Sequence, residues 1–165
     1  MSRSEQGLSY DRYICIPRTL IFLIREDSVL LLKGAPTKRI WANKYNGVGG
    51  HVERGEDIIS SAKRELLEET GFSTDLRLVG TLQVDVEPEA GISVYIFTGE
   101  SVKGDPHPSE EGSLDWIPFA ELEQYPLVDD VVILLNKIRA MDMESPPFSA
   151  RSFYDENENL IVRFG

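Results

Sequence analysis

Residues 50–72 read GHVERGEDIISSAKRELLEETGF, and this stretch decides the fold. Its apolar residues recur at helical spacing: Ile59, Ala62 and Leu66. Asp57 is a residue type that caps the start of a helix, and Gly71 is a type that ends one. The stretch therefore predicts a glycine-containing loop followed by a helix with a sharp stop.

Three carboxylates of this stretch share one side of the predicted helix. Glu65, Glu68 and Glu69 are three or four residues apart, so their side chains project from one face. Like charges at this spacing destabilise a helix by a few tenths of a kcal/mol per pair, about the strength of one surface ion pair, unless a cation collects them. Oxygen ligands favour Mg²⁺ or Mn²⁺ over zinc. The alternative is an acidic helix face that is simply solvated.

Two further residues fit a metal site. Gly50 has no side chain, so an ion can approach its carbonyl oxygen closely. Arg64 stands four residues before Glu68 and can orient that carboxylate through an ion pair. The loop and the helix together can hold a Mg²⁺ or Mn²⁺ ion, and the solvated acidic face stays the alternative at this point.

The stretch matches the Nudix pattern G-x5-E-x7-R-E-U-x-E-E-x-G-U at every defined position, U being a bulky apolar residue. The chain therefore resembles the Nudix hydrolases, metal-dependent enzymes that cleave a nucleoside diphosphate linked to another group. The resemblance implies an α/β fold, an α/β/α sandwich with a mixed β-sheet. It implies Glu65 and Glu69 as principal metal ligands and Glu68 as a ligand or base, with Arg64 among the catalytic residues.

Outside this box, the chain is similar to the branch that hydrolyses oxidised purine nucleoside triphosphates to a monophosphate and diphosphate. Asn46 precedes the Gly-Val-Gly-Gly run, and Asp129 and Asp130 form a pair, so the similarity implies that all three read the base. It also implies Glu111 as an additional acidic residue near the metals. Leu127 stands where this branch commonly has a tryptophan that stacks on the base.

Each of these positions has a plainer interpretation. Asp129 and Asp130 are also residue types that cap a helix. Asn46 can serve a turn, and Glu111 can be solvated in its polar loop. Lys33 is a candidate phosphate contact or an ordinary surface charge.

Two other functions compete with the purine triphosphatase. Pro88, sixteen residues beyond Phe72, resembles a marker of the branch that hydrolyses ADP-ribose or nucleotide sugars. A Nudix-like module that binds a nucleotide without cleaving it is the second alternative. Such modules usually lose box glutamates, and all of them are present here.

The rest of the chain predicts one domain over residues 1–165, which is an ordinary domain length. Strands are expected at 19–24, 28–33, 76–87, 92–100 and 114–118, with loops at 34–45 and 104–113. A second helix is expected over 129–141. A final hairpin is expected from 148–154 and 160–164.

Composition limits the partners. The net charge of -11 would repel a polymeric nucleic acid, whereas a small nucleotide can bind through divalent cations. No apolar run approaches the roughly 20 residues that span a membrane. The single cysteine, Cys15, and the polar N-terminus without a secretory signal favour the cytoplasm. The sequence leaves monomer and homodimer open.

Overall fold

The computed structural model describes residues 3–7, 9, 11–100, 102–104, 106–107 and 109–165. Its strands are β1 (Ile14–Arg25), β2 (Ser28–Gly34), β3 (Tyr45–Asn46), β4 (Leu76–Asp85), β5 (Ala90–Gly99), β6 (Gly112–Pro118), β7 (Phe148–Tyr154) and β8 (Leu160–Phe164). Its α-helices are α1 (Ile58–Thr70) and α2 (Val131–Arg139), and short 3-10 helices lie at Arg3–Gln6 and Phe119–Gln124. The expected first helix and terminal hairpin are confirmed, whereas α2 is shorter than expected at both ends. Asp105 and Pro108, in the expected loop at 104–113, lie outside the described residues.

The eight strands form one mixed sheet in the order β3-β2-β1-β5-β4-β7-β8, with β6 paired to β2. β1 runs parallel to β5 and β4 runs parallel to β7, whereas the other named pairs are antiparallel. The mixed sheet agrees with the expected fold class.

A helix covers each face of this sheet. Alternate residues of β1 point to opposite faces, so Ile21 and Leu23 pack with Leu66 of α1, while Phe22 packs with Leu134 of α2. Each such fully buried side chain contributes roughly 1.5–3 kcal/mol. These two cores give the expected α/β/α sandwich. No helix in the described part of the chain is long and apolar enough to cross a membrane.

The sheet opens beside β1 to admit residues 48–51. β1 and β2 pair directly only near their hairpin, from Leu23 opposite Leu30 to Arg25 opposite Ser28. Farther along, β1 bonds to the inserted segment instead, through bridges from Ile21 to Val48 and from Arg18 to His51.

Glycine is required where the inserted segment crosses β1. Gly49 has φ +151°, and a Cβ there would lie 2.2 Å from the Thr19 carbonyl oxygen. Any side chain would therefore push the segment off the strand.

Both ends of α1 are fixed as the sequence predicts. The Asp57 carboxylate accepts hydrogen bonds from the Ile59 and Ser60 backbone N–H groups, each at 2.9 Å. Gly71 adopts φ 75° and donates its N–H to the Leu67 carbonyl at 2.9 Å. These caps set where the helix begins and ends, and so set the rotation of its acidic face.

A two-bond ion pair fastens the preceding loop to α1. Arg64 Nε donates to Glu56 Oε1 at 2.6 Å, and Arg64 Nη2 donates to Glu56 Oε2 at 2.9 Å. These hydrogen bonds lower the pKa of Glu56 to about 2. The expected pair between Arg64 and Glu68 is also present, at 3.2 Å, but Glu56 is the main partner. The sequence did not single out Glu56 as a site residue.

We expect Glu56→Gln to lower the melting temperature at neutral pH, because it removes the charged partner of Arg64. The folded-state pKa of about 2 lies below the ordinary value of 4.5, so the ion pair stabilises the fold fully above pH 4.5. This stabilisation is lost as the pH falls towards 2. Thermal melting of both proteins from neutral to acid pH should show the difference closing. Glu53→Gln, in the same loop, is the matched control and should melt like the wild type at neutral pH.

Candidate active site

Glu69 lies buried at the centre of the candidate site, with 8% of its surface exposed. The sequence had led us to expect three glutamates on an open helix face, and that expectation is wrong for Glu69. Its Oε2 accepts the Gly49 N–H at 3.1 Å. The pKa of Glu69 is raised to about 7, mainly by burial and also by the charges of Glu65 and Glu111, although the Gly49 hydrogen bond and the Lys38 charge lower it. The carboxylates of Glu65 and Glu111 therefore lie close enough to Glu69 for their charges to act on it.

Glu65 lies against the backbone of Gly50. A Cβ on Gly50 would meet the Glu65 carboxylate carbon at 2.5 Å, so only glycine leaves room for this approach. Arg64 Nη1 donates to Glu65 Oε1 at 2.8 Å, and the Glu65 side chain is 15% exposed. The Gly50 carbonyl accepts the Thr19 N–H at 2.8 Å. A carbonyl oxygen has two lone pairs, so one stays available to a ligand.

Glu68 and Glu111 are the more exposed members of the acidic group. The Glu68 side chain is 61% exposed and its carboxylate contacts Arg64. Glu111 forms an ion pair with Lys38. Both carboxylates can turn towards solvent without uncovering the core.

The donor set suits a hard divalent cation. Carboxylates and a backbone carbonyl are the ligands that Mg²⁺ and Mn²⁺ prefer, and at Gly50 the backbone lies next to the Glu65 carboxylate. In the described part of the chain, no three acidic, histidine or cysteine side chains already stand in a geometry that would hold one ion. Each glutamate is turned to a protein partner instead, Glu65 and Glu68 to Arg64, Glu69 to Gly49 and Glu111 to Lys38.

Residues 126–128 run alongside β3 and form a second part of the candidate site. The Tyr45 N–H donates to the Pro126 carbonyl at 2.8 Å, and the Val128 N–H donates to the Tyr45 carbonyl at 2.9 Å. This pairing places Leu127 opposite Tyr45, the residue before Asn46. The Asn46 side-chain oxygen accepts the Gly47 N–H at 2.8 Å, so Asn46 does shape a turn, and its amide NH₂ group remains available.

The paired aspartates, Asp129 and Asp130, come directly after Val128 in the chain. Asp130 occupies the cap position of α2, but its side chain makes no capping hydrogen bond. The capping interpretation is therefore wrong for Asp130. Burial raises the pKa of this carboxyl. Asp129 is more exposed and lies 3.5 Å from Lys44 Nζ.

Lys33 faces an aromatic ring rather than an open surface. Its Nζ lies 5.8 Å from the centre of the Tyr45 ring. The Tyr45 hydroxyl donates to Asp115 Oδ2 at 2.8 Å, and burial raises the pKa of Tyr45 to about 12. Tyr45 is therefore uncharged, and its ring lies next to the Lys33 ammonium.

Sequence reasoning missed four participants. Glu56 and the Gly49 N–H act through contacts between a loop and a helix, which no local spacing reveals. Arg18 was passed over, and His51 was given no role, yet Arg18 Nε donates to His51 Nε2 at 3.1 Å beside Gly50. The cross-strand pairing of residues 18 and 51 would have been the only signal, and it depends on the opened sheet.

Comparison with known proteins gives relatives in both sequence and fold. The chain is 42% identical over 112 residues to an oxidized purine nucleoside triphosphate hydrolase of Mus musculus, covering 63% of this chain and 70% of that one. It is 35% identical over 131 residues to the protein of the same name from Danio rerio, covering 73% of this chain and 80% of that one. The crystal structure of a MutT protein from Bacillus halodurans superposes with a TM-score of 0.76 at 22% identity, covering 90% of this chain and 97% of that one. That structure supports the fold.

The family model for the NUDIX domain matches residues 16–135. This match covers more than half of the chain and contains most of β1, the inserted segment of residues 48–51, α1 and the paired aspartates. The chain therefore belongs to the NUDIX domain family.

Proposed function

We propose that this protein is a magnesium-dependent pyrophosphohydrolase that cleaves an oxidised purine nucleoside triphosphate to its monophosphate and diphosphate. The observation that carries the proposal is the buried Glu69 carboxylate, which accepts the Gly49 N–H next to the Gly50 backbone that the Glu65 carboxylate contacts. The names of the mouse and zebrafish relatives support the substrate class.

In this proposal Glu65, Glu69, Glu111 and the Gly50 carbonyl hold the metal, and Glu68 is a further ligand or the base. Nudix hydrolases generally use a divalent metal ion. When bound, such an ion neutralises phosphoryl oxygens and acidifies the attacking water. Arg64 keeps Glu65 and Glu68 oriented while Glu56 anchors Arg64 itself. Glu68, which is exposed, can take the proton of that water.

Asn46, Asp129 and Asp130 recognise the base in this proposal. Asp130 is already largely removed from water and has no capping partner, so its oxygens are available to base N–H groups. Asn46 offers its amide NH₂ group to a base acceptor. Leu127 provides an apolar contact in place of an aromatic stack. Lys33 supplies positive charge for the phosphates.

The alternatives have less support. Pro88 lies in the turn between β4 and β5, where the Glu87 N–H donates to the Ala90 carbonyl at 2.9 Å, and this turn accounts for the proline. ADP-ribose hydrolysis therefore has no separate structural argument. A binding module without activity does not explain why every box glutamate is kept.

We also propose that residues 1–165 form one domain that acts on small nucleotides in the cytoplasm, as a monomer or homodimer. The acidic charge of -11 argues against polymeric nucleic acid as a partner.

Glu69→Gln should lower kcat by at least about a hundredfold, because it removes a charged metal ligand. The metal-free variant should melt at or above the wild-type temperature, since a buried carboxyl that is costly to ionise is replaced by a neutral amide. Steady-state kinetics and thermal melting together test this. Retention of more than about a tenth of the wild-type kcat would contradict the ligand assignment. A collapse of the melting temperature would show that the loss is structural.

Activity should require added Mg²⁺ or Mn²⁺ and should vanish on chelation with EDTA, because the site offers oxygen donors and no protein nucleophile. Restoring Mg²⁺ should restore the full rate, and zinc should not be needed. Phosphate release measured before chelation, after chelation and after metal addition gives the test. Full turnover in the chelated enzyme would rule out the mechanism.

Asp130→Asn should reduce kcat/KM for an oxidised purine triphosphate by roughly ten- to a hundredfold, since each lost hydrogen bond to the base costs about 1–3 kcal/mol. The slow hydrolysis of a pyrimidine triphosphate should hardly change. The melting temperature should also hold, because Asp130 caps nothing. Asp129→Asn, which also loses an ion pair with Lys44, is the companion variant. An equal loss for purines and pyrimidines would remove the base-reading role.

A further inference from the structure

Arg18 and His51 form a side-chain pair beside the acidic site. The two residues face each other across an isolated bridge between β1 and the inserted segment. Arg18 Nε donates to His51 Nε2 at 3.1 Å, so this ring nitrogen acts as an acceptor and carries no proton in the contact. The guanidinium is thereby held by one edge.

This pair is not needed to hold the segment in place. Backbone hydrogen bonds already do so, from Thr19 N–H to the Gly50 carbonyl at 2.8 Å and from Val52 N–H to the Pro17 carbonyl at 3.1 Å. What the pair fixes is the direction of the Arg18 side chain. A long side chain held in this way loses less conformational freedom when it binds a ligand.

Among the residues that the structure describes, no carboxylate forms an ion pair with Arg18. Three other cations near the site are ion-paired, Arg64 with three glutamates, Lys38 with Glu111 and Lys44 with Asp129, whereas Lys33 lies against the Tyr45 ring. Within the described residues, the terminal nitrogens of Arg18 have no protein partner. In a protein of net charge -11, this leaves a guanidinium free to bind an anion beside a row of carboxylates.

Arg18 also lies between the two parts of the site. It shares the α2-side face of β1 with Leu20, against which Gly47 packs so closely that a Cβ would lie 2.8 Å from Leu20 Cδ1. His51 connects Arg18 to Gly50 at the carboxylates. Ile16, on the same face, is 50% exposed, so this side of β1 stays open to a ligand.

We infer that Arg18 binds the phosphate that stays on the nucleoside, and that His51 positions the guanidinium for it. This phosphate joins the base to the anhydride that is cleaved, so it must lie between the base readers and the metal ligands. A guanidinium can give a phosphate two parallel hydrogen bonds. The inference rests on the proposed function for the direction in which the nucleotide lies.

Binding of the product without metal tests this contact apart from catalysis. The nucleotide is chosen as the one that the wild type hydrolyses fastest among oxidised dGTP, ordinary dNTPs and ADP-ribose. Its nucleoside monophosphate and its nucleoside are then titrated in EDTA by calorimetry. Arg18→Gln should weaken monophosphate binding about ten- to a hundredfold and leave nucleoside binding unchanged. Arg25→Gln, which removes an equal charge from the same strand where Arg25 stacks on Trp116, should change neither.

His51→Phe tests the positioning role. It should raise KM for the chosen nucleotide more than it lowers kcat, and it should add nothing to the Arg18→Gln variant, because both changes remove one function. His51→Gln keeps a side-chain acceptor and should restore part of the affinity.

Equal monophosphate affinity in Arg18→Gln and the wild type would overturn the inference. So would an equal loss of monophosphate and nucleoside, which would mean a damaged pocket. A wild type that prefers ADP-ribose would overturn the purine proposal but not the Arg18 contact, since AMP and adenosine then serve as the probes. A wild type that neither hydrolyses nor binds any of these would overturn both.

Discussion

The structure depends on one close contact, in which two glutamates of α1 pack against the glycine backbone of residues 49–50. Glu69 loses nearly all its water there, and its one backbone hydrogen bond comes from Gly49. Gly50 admits the Glu65 carboxylate in the same way. The opened sheet, the caps of α1 and the Arg64–Glu56 ion pair all serve this contact, because each fixes either the segment or the helix. Burial makes ionisation of the Glu69 carboxyl group unfavourable in the absence of metal, and a bound cation stabilises the ionised form.

The elements that could be predicted from sequence are those set by local patterns. The helical spacing of Ala62 and Leu66, the Asp57 cap and the Gly71 stop define α1, and apolar runs define the hairpins. The box residues were also found from their spacing. Long-range contacts could not be predicted from the sequence. The burial of Glu69, the main partner of Arg64 and the pairing of Arg18 with His51 all arise where a loop meets a helix or a displaced strand. Asp130 shows the converse, since a residue type suited to capping has no capping bond here.

The site spans both faces of the sheet. The carboxylates belong to the α1 side, whereas Asp130 begins the helix on the other side. The inserted segment, residues 48–51, connects the two faces of the sheet, because β1 and β2 separate there. An acidic protein can thus hold a polyanion if metal ions bind its phosphates at one end and hydrogen-bonding side chains bind its base at the other.

The parallel pairing of β7 with β4 has a consequence for biosynthesis. β4 pairs with β7, which lies more than sixty residues later in the chain, with Gly80 opposite Phe148. Phe148 fills the space over Gly80, where a Cβ would lie 2.4 Å from its ring. Contacts between residues this far apart in the sequence form slowly, and β4 cannot pair with β7 until β7 has been synthesised. During translation, the emerging protein therefore exposes the unpaired edge of β4 until β7 has been made, and this is the interval in which chaperones would bind it.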